Sequence, residues 1–184
     1  TQNSDFRWMM GAYLYKQDTD VTFTLGGSQF LPRANRETNI SQYGLAVFGQ
    51  AEFLMAQKWR LTLGARIERI NKDGQQVYSS SDALSYANEL HRSVLLPSAS
   101  LAYNVNSNST VYGTISKGYL PGGFNYASAQ NLASFSYGLE TSKNAELGYK
   151  SSFFEQQMSF NVAAFYIKNK DKQIADLLPG FIQS

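Results

Sequence analysis

The sequence has no cysteine, so neither a disulfide nor a thiolate metal centre is available and the redox compartment is not written in it. Charge is scarce: Asp, Glu, Lys and Arg make up 16% of the residues, against roughly 25% in an ordinary soluble domain. The net charge of +2 is too small to argue for a nucleic-acid partner, no Lys/Arg run supports one, and none is expected. Nor does any stretch approach the ~18 consecutive apolar residues that a spanning helix needs. The longest apolar runs, such as 162–167, are short and sit inside alternating segments. If this chain crosses a membrane, it crosses with strands. Thr1 is not preceded by a basic-plus-apolar leader, so a secretory signal is expected to have been removed or to lie outside the sequence.

Aromatic residues are plentiful, with 12 Tyr and 12 Phe. Much of the chain repeats with a period of two, the signature of strands with one apolar and one polar face. Residues 6–17 place Phe6, Trp8, Met10, Ala12 and Leu14 on one side. Residues 42–55 oppose Leu45, Val47, Ala51, Phe53 and Met55 to Ala46, Phe48, Gln50 and Glu52. A turn near Gln57 leads to Trp59, Leu61, Leu63, Ala65 and Ile67, with Arg60, Thr62, Gly64, Arg66 and Glu68 behind them. Residues 94–105 align Leu95, Pro97, Ala99, Leu101, Tyr103 and Val105; Pro97 deletes a ladder hydrogen bond, so it is expected near the loop end or at a bulge. Two further strands lie within 110–150, and residues 158–169 present Phe160, Val162, Ala164 and Tyr166 on one face. Stretches 18–41, 71–92 and 120–138 read as long loops, with 21–25 as a strand extension or small loop hairpin, and another strand is expected to begin near the C-terminal end.

This makes about seven long strands whose connections alternate between short and long, the arrangement of a transmembrane barrel. Strands of ten to fourteen residues suit a tilted crossing, and Trp8 and Trp59 fall toward the short-turn ends, where an aromatic girdle belongs. Register then follows from energy. Turning the 59–68 strand over would aim Arg66 and Glu68 at lipid, and Arg near the midplane costs ~2–4 kcal/mol. Alternation alone also fits a soluble antiparallel sandwich or lipocalin-like barrel, which requires Trp59, Leu61, Leu63 and Ile67 to be buried by protein.

The most specific wording lies between residues 110 and 150. YGTISKGYLPGGFN at 112–125, ETSKNAELGYKSSF at 140–153 and FNVAAFYIKNKDKQI at 160–174 resemble consecutive barrel strands of the TonB-dependent receptors of the Gram-negative outer membrane. Val47-Phe48-Gly49-Gln50-Ala51 with residues 61–68 resembles an earlier hairpin of the same barrel. Leu139 departs from the proline that the family usually has there. The resemblance implies an all-β, antiparallel up-and-down meander, part of a transmembrane outer-membrane β-barrel, with residues 1–184 forming a segment. It also implies partners: outer-membrane lipid, the TonB complex through parts absent from this chain, and a ferric siderophore or similar scarce nutrient. No plug domain, TonB-contacting box or closing C-terminal strand is seen. The competing expectation is a small non-transporting outer-membrane barrel or surface binding protein, in which the strand holding Phe6 would pair with the last strand.

Chemistry is thin, and neither catalysis, a cofactor nor a metal is expected. His91 stands beside Glu89 without other ligands and reads as a loop residue. Asp18-Thr19-Asp20 lacks the glycine and distal glutamate of a calcium loop. Gly118, Pro121, Gly122 and Gly123 do not lie between a strand and a helix, and no nucleophile–base–orienter set can be assembled. For ligand capture the expected residues are Tyr119, Phe124, Asn125 and Tyr126, aromatic and amide groups at a loop mouth. Arg60, Arg66, Glu68, Glu146 and Lys150 are expected to face the lumen, chiefly as cross-strand ion pairs that solvate the interior.

Overall fold

The computed structural model describes residues 5–25, 34–79, 85–127, 129, 131–154 and 157–174. The elements in chain order are β1 (Phe6–Leu25), β2 (Ala34–Met55), β3 (Trp59–Ser79), β4 (Ser85–Asn106), β5 (Ser109–Leu120), β6 (Gly123–Phe124), α1 (Leu132–Phe135), β7 (Ser136–Tyr137), β8 (Glu140–Phe153) and β9 (Met158–Lys170). Seven strands form one sheet in the order β1-β2-β3-β4-β5-β8-β9, while β6 and β7 make a small separate hairpin. Each neighbouring pair in the large sheet is antiparallel. Among the described residues β1 and β9 do not pair, so the sheet is open at both edges and is not a small closed barrel. The strand anticipated near the C-terminus lies outside the described residues.

The short connections are tight. Ala56 and Gln57 both take positive φ, 49° and 59°, in the turn between β2 and β3, which matches the twist of a hairpin. The stretches expected to be loops at 18–41 and 71–92 are instead mostly strand, because β1 continues to Leu25, β2 begins at Ala34, β3 runs to Ser79 and β4 begins at Ser85. These extensions lie beyond the apolar segments, where the outer face is polar. Alternation therefore fades while the ladder continues.

Pairing aligns Trp8, Ala51, Leu63, Ala99, Ile115, Ala145 and Tyr166 in a single row across all seven strands, every member apolar. On β1 the apolar face continues six residues past Trp8 to Leu14; on β9 it stops at Tyr166, and Lys168 follows. The apolar band thus slides by six residues over six strand-to-strand steps. At ~3.4 Å per residue and ~4.8 Å per strand the slide corresponds to a tilt of about 35°, within the range of membrane barrels.

Among the described residues no second layer covers this band. Leu14 is 75% exposed, Met10 74%, Ile67 61%, Leu63 45% and Trp59 41%, which rules out a sandwich whose core would bury them. Aromatic pairs gather toward the short turns: Phe6 with Phe53 at 5.0 Å, Trp59 with Tyr103 at 4.6 Å, and Tyr149 with Phe160 at 6.5 Å between ring centroids. The compact apolar core is elsewhere. Phe124, Ala129 and Phe135 are buried on the polar face of the sheet, with Ile40, Tyr86 and Leu90 packed against them.

Pro97 lies in the middle of β4, opposite Ala65, rather than at a loop end or bulge. Pairing between β4 and β5 ends at Ser98↔Ser116, one residue short of it, so on that side proline's missing N–H faces no partner strand. The irregularity in β4 falls instead between Asn104 and Asn106.

Candidate functional site

The site is built where β5 leaves the wall. Beyond Ser116 it no longer pairs with β4, yet its pairing with β8 continues to Leu120↔Glu140. The upper end of the β5–β8 hairpin therefore tucks across the polar face of β4. This brings the Tyr119 side chain into a hydrogen bond with Glu68 of β3, near Tyr15 and Arg66.

The described residues between 121 and 137 then fold onto the same face. Phe124 stacks on Phe135 at 5.0 Å, and Tyr86 lies 6.0 Å from Phe135. Gly74 makes the seat: a Cβ there would come within 2.5 Å of the Phe124 ring, so only glycine leaves the space. The fold of the loop is fixed from within by Asn131, whose Oδ1 accepts from the Ser134 amide at 2.9 Å while Ser134 Oγ accepts from the Asn131 amide at 3.1 Å, capping the single turn of α1.

The wall clamps the loop through polar side chains. Gln76, fully buried, donates through Nε2 to Thr38 Oγ1 at 2.8 Å and to the carbonyl of Tyr126 at 3.1 Å. The Arg36 guanidinium donates to the Ala127 carbonyl and lies 4.4 Å over the Tyr78 ring, whose hydroxyl donates to the Ala129 carbonyl. Asn88 donates to Ser136 Oγ at 2.8 Å. At the base, Gln173 Nε2 donates to the carbonyls of Pro121 at 3.1 Å and Gly138 at 3.0 Å. Tyr78 stands eleven residues past Ile67, well beyond the apolar band, and burial pushes its phenol above the ordinary range although Arg36 pulls the other way.

Of the four residues expected to meet ligand, the structure separates two kinds. Phe124 is buried as packing for the loop, and Tyr119 is engaged by Glu68. Asn125 is partly exposed with its amide bonded to the Phe135 carbonyl at 2.7 Å, and Tyr126 presents its ring to solvent. Arg36, Gln76, Tyr78 and Asn88, which hold the loop, carried no signal in the sequence because they lie in the stretches read as loop.

The five charges share the polar face. Arg66 Nη2 meets Glu68 Oε2 at 2.8 Å and its Nε reaches the same oxygen at 2.9 Å, an i,i+2 pair along β3 rather than a cross-strand one. Glu68 is only 6% exposed, so this pair holds a buried carboxylate. Arg60 and Glu52 approach to 3.8 Å in the open, a contact worth ~0–1 kcal/mol. Glu146 accepts from the Tyr112 hydroxyl, and Lys150 sits 5.0 Å over the Tyr112 ring. His91 lies on the opposite face, bonded to Asn71 at 2.6 Å and 3.3 Å from Glu89. Among the described residues no cluster of metal-ligating side chains forms.

A tilted seven-stranded sheet with a bare apolar band outside and a clamped loop inside is the wall of a large membrane barrel, and residues 1–183 match the family described as TonB dependent receptor-like, beta-barrel. The chain belongs to that family. It is a stretch of the wall of an outer-membrane β-barrel receptor, and its polar face lines the lumen. Solved structures similar to it include the ferric yersiniabactin uptake receptor FyuA from Yersinia pestis, with a TM-score of 0.85 and 18% identity over 95% of this chain and 27% of that one. The siderophore receptor PiuA from Acinetobacter baumannii gives 0.67 and 14%, over 90% and 29%. The ferric-catecholate import receptor Fiu from E. coli K12 gives 0.60 and 12%, over 85% and 31%. At these identities the likeness is one of fold, and the chain spans less than a third of each of these receptors.

Proposed function

We propose that the protein containing this wall imports a ferric siderophore or a similarly scarce nutrient across the outer membrane, driven through TonB by parts outside this chain. Its role is that of a receptor and transporter, not an enzyme. The observation that carries the reading is the loop 121–137, docked by Arg36, Gln76, Tyr78 and Asn88 on the lumen face beyond the apolar band. A docked loop offers what recognition of a bulky chelate needs, a preformed aromatic and amide surface held by a rigid scaffold. Exposed Tyr126 and Tyr137 supply rings for stacking.

The test is uptake of labelled ferric chelates, a corrinoid vitamin and oligosaccharides by cells carrying only the full-length receptor. One of them should enter in a TonB-dependent manner, and Tyr126→Ala should weaken its binding while leaving barrel assembly intact. A receptor that assembles normally and imports none of them refutes the proposal.

A further inference from the structure

Two backbone hydrogen bonds at the short-turn end fix the direction of every amide along the seam between β4 and β5. The Asn104 amide donates to the Lys58 carbonyl at 2.8 Å, toward β3. Amides alternate along a strand, so the odd-numbered residues of β4 from Tyr103 back to Pro97 direct theirs at β5. The Ser152 amide donates to the Asn108 carbonyl at 2.9 Å, which commits the even-numbered residues of β5 to β8 and leaves the odd-numbered ones for β4. Hydrogen-bonded pairs on the seam therefore fall at Tyr103↔Val111, Leu101↔Gly113 and Ala99↔Ile115.

The next such pair due is residue 97 with residue 117, and there the donor is missing. Proline has no N–H, and its ring Cδ fills the space into which the Lys117 carbonyl would point. Pairing stops at Ser98↔Ser116, one residue before it. The neighbouring seams are undisturbed. Pro97 stays opposite Ala65 in a pair that asks no N–H of it, β3 and β4 remain paired to Val77↔Ser85, and β5 keeps β8 to Leu120↔Glu140. One seam of the wall opens, and it opens at the proline.

Had that seam closed in register, Tyr119 would stand opposite Leu95 and join the outward row of Ile67 and Leu95. It lies instead against Glu68, on the lumen side of β3. The loop carried on the same hairpin end closes over Tyr86 and Leu90 on the polar face of upper β4.

We propose that Pro97 is a positioning residue for cargo recognition: as a stop in the β4–β5 ladder it splits the end of the β5–β8 hairpin from the wall and turns Tyr119 and the docked loop into the lumen. Its part in recognition rests on the import reading; its opening of the seam does not.

The test measures how often the seam closes. Continued in register, the seam sets Val94 opposite Leu120 in a non-hydrogen-bonded pair, near enough for a disulfide. This chain has no cysteine of its own, so the rate of disulfide formation in a full-length receptor carrying Val94→Cys and Leu120→Cys, with no other cysteine, reports the closed population. Pro97→Val restores the donor. One net hydrogen bond moves an equilibrium by about two- to tenfold, so crosslinking should quicken by at least that factor; Pro97→Ala, with the same donor and a smaller side chain, should do likewise. Lys117→Pro added to Pro97→Val moves the missing donor to the other strand and should return the rate to that of the wild type, whereas Lys117→Gln in its place should not. An unchanged rate in both Pro97 variants overturns the proposal, as does failure of Lys117→Pro to reverse the effect. With the labelled ferric chelates as probes, P97V should raise the concentration for half-maximal uptake and leave the maximal rate unchanged; a loss confined to the maximal rate refutes the part in recognition. Crosslinking needs no cargo, so a receptor that imports none of the chelates fails the import reading alone.

Discussion

Leu63→Arg tests the orientation of the whole wall. On β3 the apolar face runs from Trp59 to Ile67, and Leu63 stands midway. Eight steps of ~3.4 Å make about 27 Å along the strand; a tilt of about 35° reduces this to about 22 Å of thickness, close to the ~25 Å apolar band of such barrels. Leu63 is therefore about 11 Å from either border, and its row neighbours, Ala51 and Ala99, offer no charge or hydrogen bond to an arginine. The expected cost is ~2–4 kcal/mol, a shift of about 30- to 1000-fold in the folding equilibrium. Thr62→Arg is the control, one residue away on the lumen face opposite Glu52, where the change should stay within about 0.5 kcal/mol. The assay is reversible denaturant unfolding of the full-length receptor in lipid vesicles, followed by tryptophan fluorescence. Equal cost for the two substitutions, or a larger one for Thr62→Arg, would refute the assignment of the apolar face to lipid.

The remaining expectations concern the lumen side. Gly74→Val brings a Cβ against the Phe124 ring, so the loop should undock and limited proteolysis within 121–137 should accelerate; cleavage at the wild-type rate would contradict the seating. Phe135→Ala removes the centre of the loop core at a cost of ~3–5 kcal/mol, read as faster hydrogen exchange at the Asn125 amide, which bonds to the Phe135 carbonyl. Arg66→Gln leaves the nearly buried Glu68 without its cation and should destabilise the receptor by ~3–5 kcal/mol, less if Tyr119 holds the carboxylate alone; Arg60→Gln should be near neutral. Because burial beneath the docked loop holds the Tyr78 phenol above its ordinary 10.0, the docked form binds the proton more tightly. Docking is at full strength below pH 10 and weakens as pH rises above it. Proteolysis of the loop should accelerate in that alkaline range, and Tyr78→Phe should reduce the pH dependence, leaving the part due to Tyr119, whose phenol burial also raises.

Where two environments meet at a strand, the sequence shows it. Trp59 to Ile67 alternate because one face is apolar and the other polar, so seven strands and their two faces, with Arg66 and Glu68 on the polar one, can be read directly. Past Leu14, Leu45, Ile67 and Leu95 both faces are polar or packed locally, the period disappears, and strand is mistaken for loop. The inward loop was hidden for a different reason. Phe124 looks like an exposed ligand contact until Gly74, fifty residues earlier in the chain, is found beneath it. Tyr119 likewise meets Glu68 only because β5 parts from β4 after Ser116, a departure that local pattern does not encode.

The length of β1 has its own implication. From Leu14 to Leu25 it carries eleven residues beyond the greasy belt, and at ~3.4 Å each under the same lean they rise about 30 Å, as much as the hydrocarbon layer is thick. On this side the wall thus stands a full hydrocarbon thickness above the lipid, while at the other edge β9 ends at Lys170, four residues past Tyr166, so the rim of the segment is steeply uneven.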